Sequence, residues 1–272
     1  MELVGWSLEL HLKDCFLLMV NDFFLESLSF LLGSSLGSFA NVCIYRIPRK
    51  LSIVAPRSFC PHCKRTLTWY ELIPVVSYLL LAGRCRTCDS RISLQYPFVE
   101  LASGLLGFYL VTRYSVTLFT VFAMPLLLLL IIIAVIDWRN LIIPNSLVIA
   151  GLLLGIIDLS FLSAHLLLSA ALSAVLASGF TFVARAAGNF IFRKDTMGIG
   201  DIKLAGLIGL LIGFQQFLLA VWLSAIFGII YWAALRVLAG AGRNTKLPFG
   251  TFLVAVFLFV YLTPVPVFSI VF

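Results

Sequence analysis

Apolar residues run along this chain in long blocks separated by short polar stretches. Blocks near 27–45, 97–112, 118–136, 142–162, 164–184, 216–235 and 247–270 each approach the roughly 20 residues that a helix needs to cross a bilayer core of about 30 Å. A shorter block, 202–214, follows Asp201. The pattern predicts an all-α polytopic membrane protein of about eight transmembrane helices. A β-barrel would need short alternating segments, and blocks such as "PLLLLLIIIAVI" do not alternate. The first block begins only after "LKDCFLLMVNDFFLE", which carries three acids and one lysine, so it does not fit a cleavable signal peptide and is expected to stay as an anchor.

Composition strengthens this reading. The chain is 62% hydrophobic and 11% charged, with a mean hydropathy of +1.10, more than a water-soluble domain needs to fill a core. Net charge is +7, and in a membrane protein the placement of Lys and Arg is more informative than their total. With eight spans, segments 46–96, 137–141, 185–203 and 236–246 fall on one side and hold 17 of the 19 basic residues. Only Lys13 and Arg113 fall on the other. The bias puts those four segments in the cytoplasm and both termini outside. It reads as a topology signal, and no nucleic-acid partner is expected. Asp137 and Asp201 then share the cytoplasmic face, each where a span meets the interface.

The longest polar stretch, 46–96, is a small insert between the first two spans. It holds two Cys-x-x-Cys pairs, Cys60/Cys63 and Cys85/Cys88, with 21 residues between them. Two such pairs suit tetrahedral zinc, each turn presenting two thiolates to one ion. Disulfides are the competing reading, and a reducing cytoplasmic location disfavours them. With four protein ligands the ion has no open position, so its expected role is structural, closing a loop too small to build its own core. His62 is read as a surface residue, and Cys15 and Cys43 as buried apolar cysteines. Within the insert, "LIPVVSYLLLAG" is too short to span and is expected to be re-entrant or interfacial.

Two aspartates interrupt the apolar pattern. "LLLLLIIIAVIDWRNLIIPN" runs directly into Asp137, then a short turn and Pro144, which suits a helix start. "MGIGDIKLAGLIGLLIGF" places Gly198 and Gly200 just before Asp201. Those glycines allow close backbone approach or unusual dihedrals, and the carboxylate suits a helix N-terminus. The helix after Asp201 has 13 residues before Gln215 and Gln216, too few for a full span, so either it starts inside the membrane or the bilayer is thin there. An ionisable group at such depth costs a few kcal/mol, which favours a functional reading. If the two carboxylates converge they share one proton, one activating water while the other protonates the carbonyl or leaving nitrogen. If they stay apart, they are separate stations on a proton or cation path. Spacing alone leaves both open.

At these residues the chain resembles the bacterial type IV prepilin leader peptidases, membrane aspartic proteases of the GxGD type. "GSFANVCIYRIPR" resembles the family's first-span exit, and "FCPHCKRTLTWYELIPVVSYLLLAGRCRTCDSRISLQYPFVEL" its zinc module. "AVIDWRNLIIPN" and "MGIGDIKLAG" resemble its two aspartate motifs, and "KLPFGTFL" the segment before its last span. The resemblance implies that Asp137 and Asp201 are a catalytic dyad that cuts the basic leader of a prepilin or pseudopilin after a glycine at the cytoplasmic face of the bacterial inner membrane. It implies that such enzymes commonly N-methylate the new amino terminus with S-adenosylmethionine, and that Cys60, Cys63, Cys85 and Cys88 are zinc ligands in the part linked to methylation. It implies a division into a first span (1–45), a methyltransferase-associated zinc module (46–96) and a peptidase domain (97–272). Lys203 matches the lysine of GxGDxK and belongs, with Gly198 and Gly200, to the surroundings of the site. Asn145 stands where the family usually has an acid, and Thr251 where a second proline often follows Pro248-Phe249-Gly250.

Methyl transfer has less support from the residues themselves, because no Gly-rich turn follows a strand. "GSSLGS" contains Gly33-x-x-x-Gly37, read as a helix-packing face. Three rivals remain: a peptidase without methylation, a transporter whose flux depends on both acids, and a metal-containing scaffold to which neither acid matters.

Overall fold

The computed structural model describes residues 2–160, 164–240 and 245–263, with side chains from Asp22 onward except those of 160, 164, 165 and 239. Cys15, Lys13 and the 264–270 end of the last expected span lie outside the described side chains or residues. The described chain is helical: α1 (Glu2–Arg46), a five-residue α2 (Val76–Leu80), α3 (Gln95–Tyr114), α4 (Leu118–Asn140), α5 (Asn145–Ser160), α6 (Ala164–Phe192), α7 (Ile199–Ala239) and α8 (Phe249–Leu262). Extended structure among the described residues is limited to two isolated antiparallel bridges. Among the described residues, four stretches are long and apolar enough to cross a membrane: Asp22–Arg49, Leu118–Asn140, Leu166–Phe192 and Ile199–Leu238.

Two helices differ from the apolar blocks that predicted them. α1 reaches back to Glu2, because no Gly or Pro between Trp6 and Phe30 stops a helix, whatever the polarity. α7 joins the separate blocks 202–214 and 216–235 without a loop. A straight helix of its 41 residues would be about 60 Å long, twice a bilayer core. It is broken at Gly213, whose φ of 77° and ψ of 162° are not helical and suit glycine.

The helices fall into two compact units, divided after Val42, Ile53 and Met124. In the first unit α1 crosses α3 at very close range. A Cβ on Gly33 would lie 2.5 Å from the Ser103 carbonyl oxygen, and one on Gly107 would lie 2.6 Å from that of Ser29. The Gly33-x-x-x-Gly37 face therefore packs as expected, backbone against backbone, which is how helices associate where lipid removes any hydrophobic drive. Asn41 reinforces the crossing, donating to the Tyr96 carbonyl at 3.1 Å and accepting from Gln95 at 3.2 Å.

From Val54 onward the insert belongs to this unit. The stretch expected not to span forms only α2, and Val75 before it has a φ of 61°, costly for a β-branched residue. Its N–H is held by the buried Glu100 carboxylate of α3 at 2.8 Å. A second acid, Glu71, accepts from Arg65 at 2.5 Å and from the Thr68 N–H and hydroxyl at 2.9 and 2.7 Å. These bonds, that to Arg65 foremost, hold its carboxyl at about 2.

In the second unit α7 packs against α5, α6 and α8 through small residues. A Cβ on Gly209 would lie 2.5 Å from the Ala177 methyl, and one on Gly206 would lie 2.5 Å from the Ser178 hydroxyl. Trp138, Tyr231 and Phe252 gather α4, α7 and α8, with ring centroids 5.1 to 6.3 Å apart. Leu126, Leu130, Ile133, Leu207, Phe217 and Phe257 are fully buried.

Gly33→Leu is expected to force α1 and α3 apart and lower stability by about 2–4 kcal/mol, read as an earlier thermal midpoint in detergent. Because Glu71 is held below its ordinary value, its contribution is complete above the usual glutamate range and is lost only as pH falls toward about 2. Glu71→Gln is therefore expected to loosen the insert equally at pH 5 and pH 7, measured as the rate of limited proteolysis within 46–96.

Candidate functional site

The four predicted ligand cysteines converge. Cys60 and Cys85 are buried, and the Sγ atoms of Cys60, Cys63, Cys85 and Cys88 all lie within 4.8 Å of one another. The two knuckles are built alike. Cys60 N–H donates to the Arg65 carbonyl and Lys64 N–H returns to Cys60, while Cys85 N–H donates to Ser90 and Asp89 N–H returns to Cys85, all at 2.9 Å. Lys64 and Asp89, the fourth residue after the leading cysteine of each knuckle, both take left-handed backbone, at φ of 60° and 55°. Bridges Phe59 to Thr66 and Arg84 to Arg91 close the turns.

This set fits a tetrahedral ion. Metal–sulfur bonds of about 2.3 Å imply sulfurs about 3.8 Å apart, and the Cys60 and Cys88 sulfurs are 3.8 Å apart. Ser90, 3.2 Å from the Cys88 sulfur, brings the Cys88 thiol down to about 6, toward the thiolate form that binds metal. His62 takes no part in the cluster. Cys43 is buried and free, as expected of an apolar cysteine.

Asp137 and Asp201 lie in the second unit, each bound to the first turn of a helix. Asp201 is the third residue of α7, and its Oδ2 accepts from the N–H of the N-cap Gly198 at 3.1 Å. The expected helix N-terminus is present. Gly198 itself has ordinary extended backbone, with φ of −70°. Gly200 is the glycine whose lack of a side chain matters: a Cβ there would lie 2.9 Å from Ile143.

Asp137, 5% exposed, is near the end of α4. Its Oδ2 accepts from the Thr251 N–H of α8 at 2.9 Å and faces the Thr251 hydroxyl at 3.3 Å. A Cβ on Gly250 would lie 3.0 Å from that same oxygen, 3.0 Å from Ile143 and 3.2 Å from Leu204 of α7. Ile143 thus lies against the glycines beside both aspartates, and the two carboxylates border one shell of apolar side chains.

Lys203, two residues after Asp201 on α7, donates to Asn145 Oδ1 at 2.7 Å. Asn145 and Lys203 line the aspartate end of a cavity of about 560 Å³ between α5, α6 and α7, whose apolar walls include Val148, Leu152 and Ala174. Sequence reasoning placed Lys203 near the site but missed its partner, and it noted Thr251 only as a departure from the resemblance. The signal for both was positional, since Asn145 opens α5 directly after Pro144 and Thr251 falls in the first turn of α8.

Residues 31–114 match the bacterial peptidase A24 N-terminal domain, and residues 124–233 match the type IV leader peptidase family. A prepilin leader peptidase/N-methyltransferase of Bacillus subtilis is 37% identical over 243 residues, covering 87% of this chain and 93% of the relative. Proteins of the same name from Myxococcus xanthus and Vibrio cholerae are 36% and 35% identical, over 80% and 74% of this chain and 65% and 83% of their own lengths. No solved structure matches. With both parts of the chain matched in order, and with identity of this level over most of its length, the chain belongs to the type IV leader peptidase family.

Proposed function

We propose that this chain is a bifunctional membrane enzyme that removes the basic leader of a type IV prepilin or pseudopilin after a glycine and N-methylates the new amino terminus. The observation that carries the reading is the placing of Asp137 and Asp201 on either side of Ile143, each held by the first turn of a helix. Two carboxylates that feel each other's charge share one proton. The ionised partner takes a proton from water, whose oxygen attacks the scissile carbonyl. The protonated partner donates its proton to that carbonyl oxygen; as the tetrahedral intermediate collapses it takes that proton back, and the partner that received water's proton passes it to the departing nitrogen. The leader leaves as a carboxylate and the pilin keeps a free amine.

We place both aspartates at the cytoplasmic face of the inner membrane, following the distribution of Lys and Arg. Counting the two arms of α7 separately, with α1, α3, α4, α5, α6 and α8, gives the eight passes that this orientation needs. A pilin's hydrophobic helix then lies in the bilayer while its basic leader stays in the cytoplasm, so that the scissile bond falls at the depth of the pair. The ion held by Cys60, Cys63, Cys85 and Cys88 is zinc with a structural role, and residues 46–96 serve methylation while 97–272 cut. S-adenosylmethionine, when bound, supplies an electrophilic methyl to the freed amine. The pairing of Lys203 with neutral Asn145 leaves a cation beside the pair without an acidic partner in this contact, a feature that bears on which substrate is chosen rather than on the reaction.

Asp137→Asn and Asp201→Asn are each expected to abolish leader removal by at least a thousandfold while the protein remains folded, measured by intact-mass spectrometry of a prepilin incubated with the purified enzyme and S-adenosylmethionine. Full cleavage by either variant would move the transporter reading ahead. The double variant Cys60→Ser/Cys63→Ser is expected to lose its zinc, read by elemental analysis, and to lose the methyl mass increment. Unchanged zinc content would reject the four-cysteine site.

A further inference from the structure

Asp137 lies in the last turn of its own helix, where the helix field disfavours negative charge. What offsets this is the start of another helix. Thr251 is the third residue of α8, after its N-cap Pro248, so its N–H is among the donors that a helix leaves without an internal acceptor. That N–H lies 2.9 Å from Asp137 Oδ2 and 3.2 Å from the Pro248 carbonyl, so the carboxylate is the nearer acceptor.

The Thr251 hydroxyl is 2.8 Å from the Ala134 carbonyl and 3.3 Å from Asp137 Oδ2. One proton serves one of these acceptors well, and the distances assign it to the carbonyl. The hydroxyl therefore ties α8 to α4, and the N–H holds the carboxylate. Gly250 makes the approach possible, since a Cβ there would lie 3.0 Å from the same oxygen.

Building on the dyad reading above, we propose that Thr251 is a positioning residue for cleavage, whose backbone N–H pins Asp137 Oδ2 and leaves Oδ1 as the oxygen that takes the proton from water. An oxygen used as acceptor by a backbone N–H does not also hold the pair's proton on that lone pair. Asp201 is anchored likewise by one oxygen, to Gly198. The proton exchanged during hydrolysis moves between the unanchored oxygens, and the anchored ones keep the two carboxylates from turning away. The family resemblance expects a proline at 251, which has no N–H to give. This chain holds its first aspartate with a donor that proline would not supply.

The test is kcat and KM for leader removal by the full chain, with a prepilin as substrate, for Thr251→Ser, Thr251→Val and Thr251→Pro beside Asp137→Asn. Proline is tolerated in the first turn of a helix, so Thr251→Pro deletes the donor and spares α8. The expected result is that Thr251→Pro loses about tenfold or more in kcat with KM within about twofold, as for loss of one charge-assisted hydrogen bond. Thr251→Val, which keeps the N–H, loses no more than about threefold, and Thr251→Ser restores wild-type kcat. Gly250→Ala, which keeps every donor but crowds the carboxylate oxygen, is expected to lower kcat in the same way and serves where Thr251→Pro is unstable. Thr251→Pro or Gly250→Ala keeping kcat within twofold while Asp137→Asn is inactive overturns the positioning role and leaves the dyad intact. A loss that appears as raised KM, or an equal loss in Thr251→Ser, assigns Thr251 to packing and overturns it as well. Activity in Asp137→Asn overturns the dyad itself.

Discussion

Two carboxylates have to be kept inside an apolar helical bundle, and the only strong polar partners that a transmembrane helix can spare are the groups at its ends. Every backbone donor within the helix is already used, but the first turn has N–H groups without acceptors. Asp201 uses the first turn of the helix it sits on. Asp137, at the unfavourable end of α4, uses the first turn of α8. Much else follows from this need. The glycines at 200 and 250 let Ile143 and Leu204 close around the pair, and the aromatic contacts of Trp138 with Tyr231 and Phe252 hold α4, α7 and α8 near enough for one helix to cap another's aspartate.

How much of this was legible in the sequence depended on the range of the interaction. Apolar blocks revealed nearly every helix, because burial in lipid demands uniform composition. The cysteine pairs announced their cluster, because the ligand spacing is local within each knuckle. The N-terminal placement of Asp201 was legible for the same reason, its partner being three residues away. The partner of Asp137 was not, since Thr251 is 114 residues distant and nothing in a block pattern says which helix end faces which aspartate. The bond from Lys203 to Asn145, 58 residues apart, was hidden in the same way. The extension of α1 back to Glu2 was missed because apolar composition reports burial in lipid, whereas helix continuity depends on the absence of breakers; the two blocks of α7 were legible, and Gly213 marks the break between them.

The insert solves a different problem. It lies in a chain rich in apolar residues yet has too few of them to build a core, and it relies on paired polar devices instead. One is the cysteine cluster, assembled from two knuckles of nearly the same local geometry. The others are two buried acids that act as backbone acceptors: Glu71 for Thr68 and Glu100 for Val75. Glu100 is the more telling, because it stands on α3 and reaches the strained residue that opens α2. The insert is thereby fastened to a membrane helix of its own unit, at a point far in sequence from the cysteines.

The break at Gly213 sets a length. The arm of α7 from Ile199 to Ile212 holds 14 residues and is about 21 Å long, against a bilayer core of about 30 Å. An arm of that length is about 9 Å too short to cross such a core alone, and Asp201, its third residue, stands about 17 Å from Ile212 along it. One short helical arm thus fixes how far Asp201 stands from the break, and adding a single turn to it would lengthen that distance by about 5 Å without altering the residues next to the aspartate.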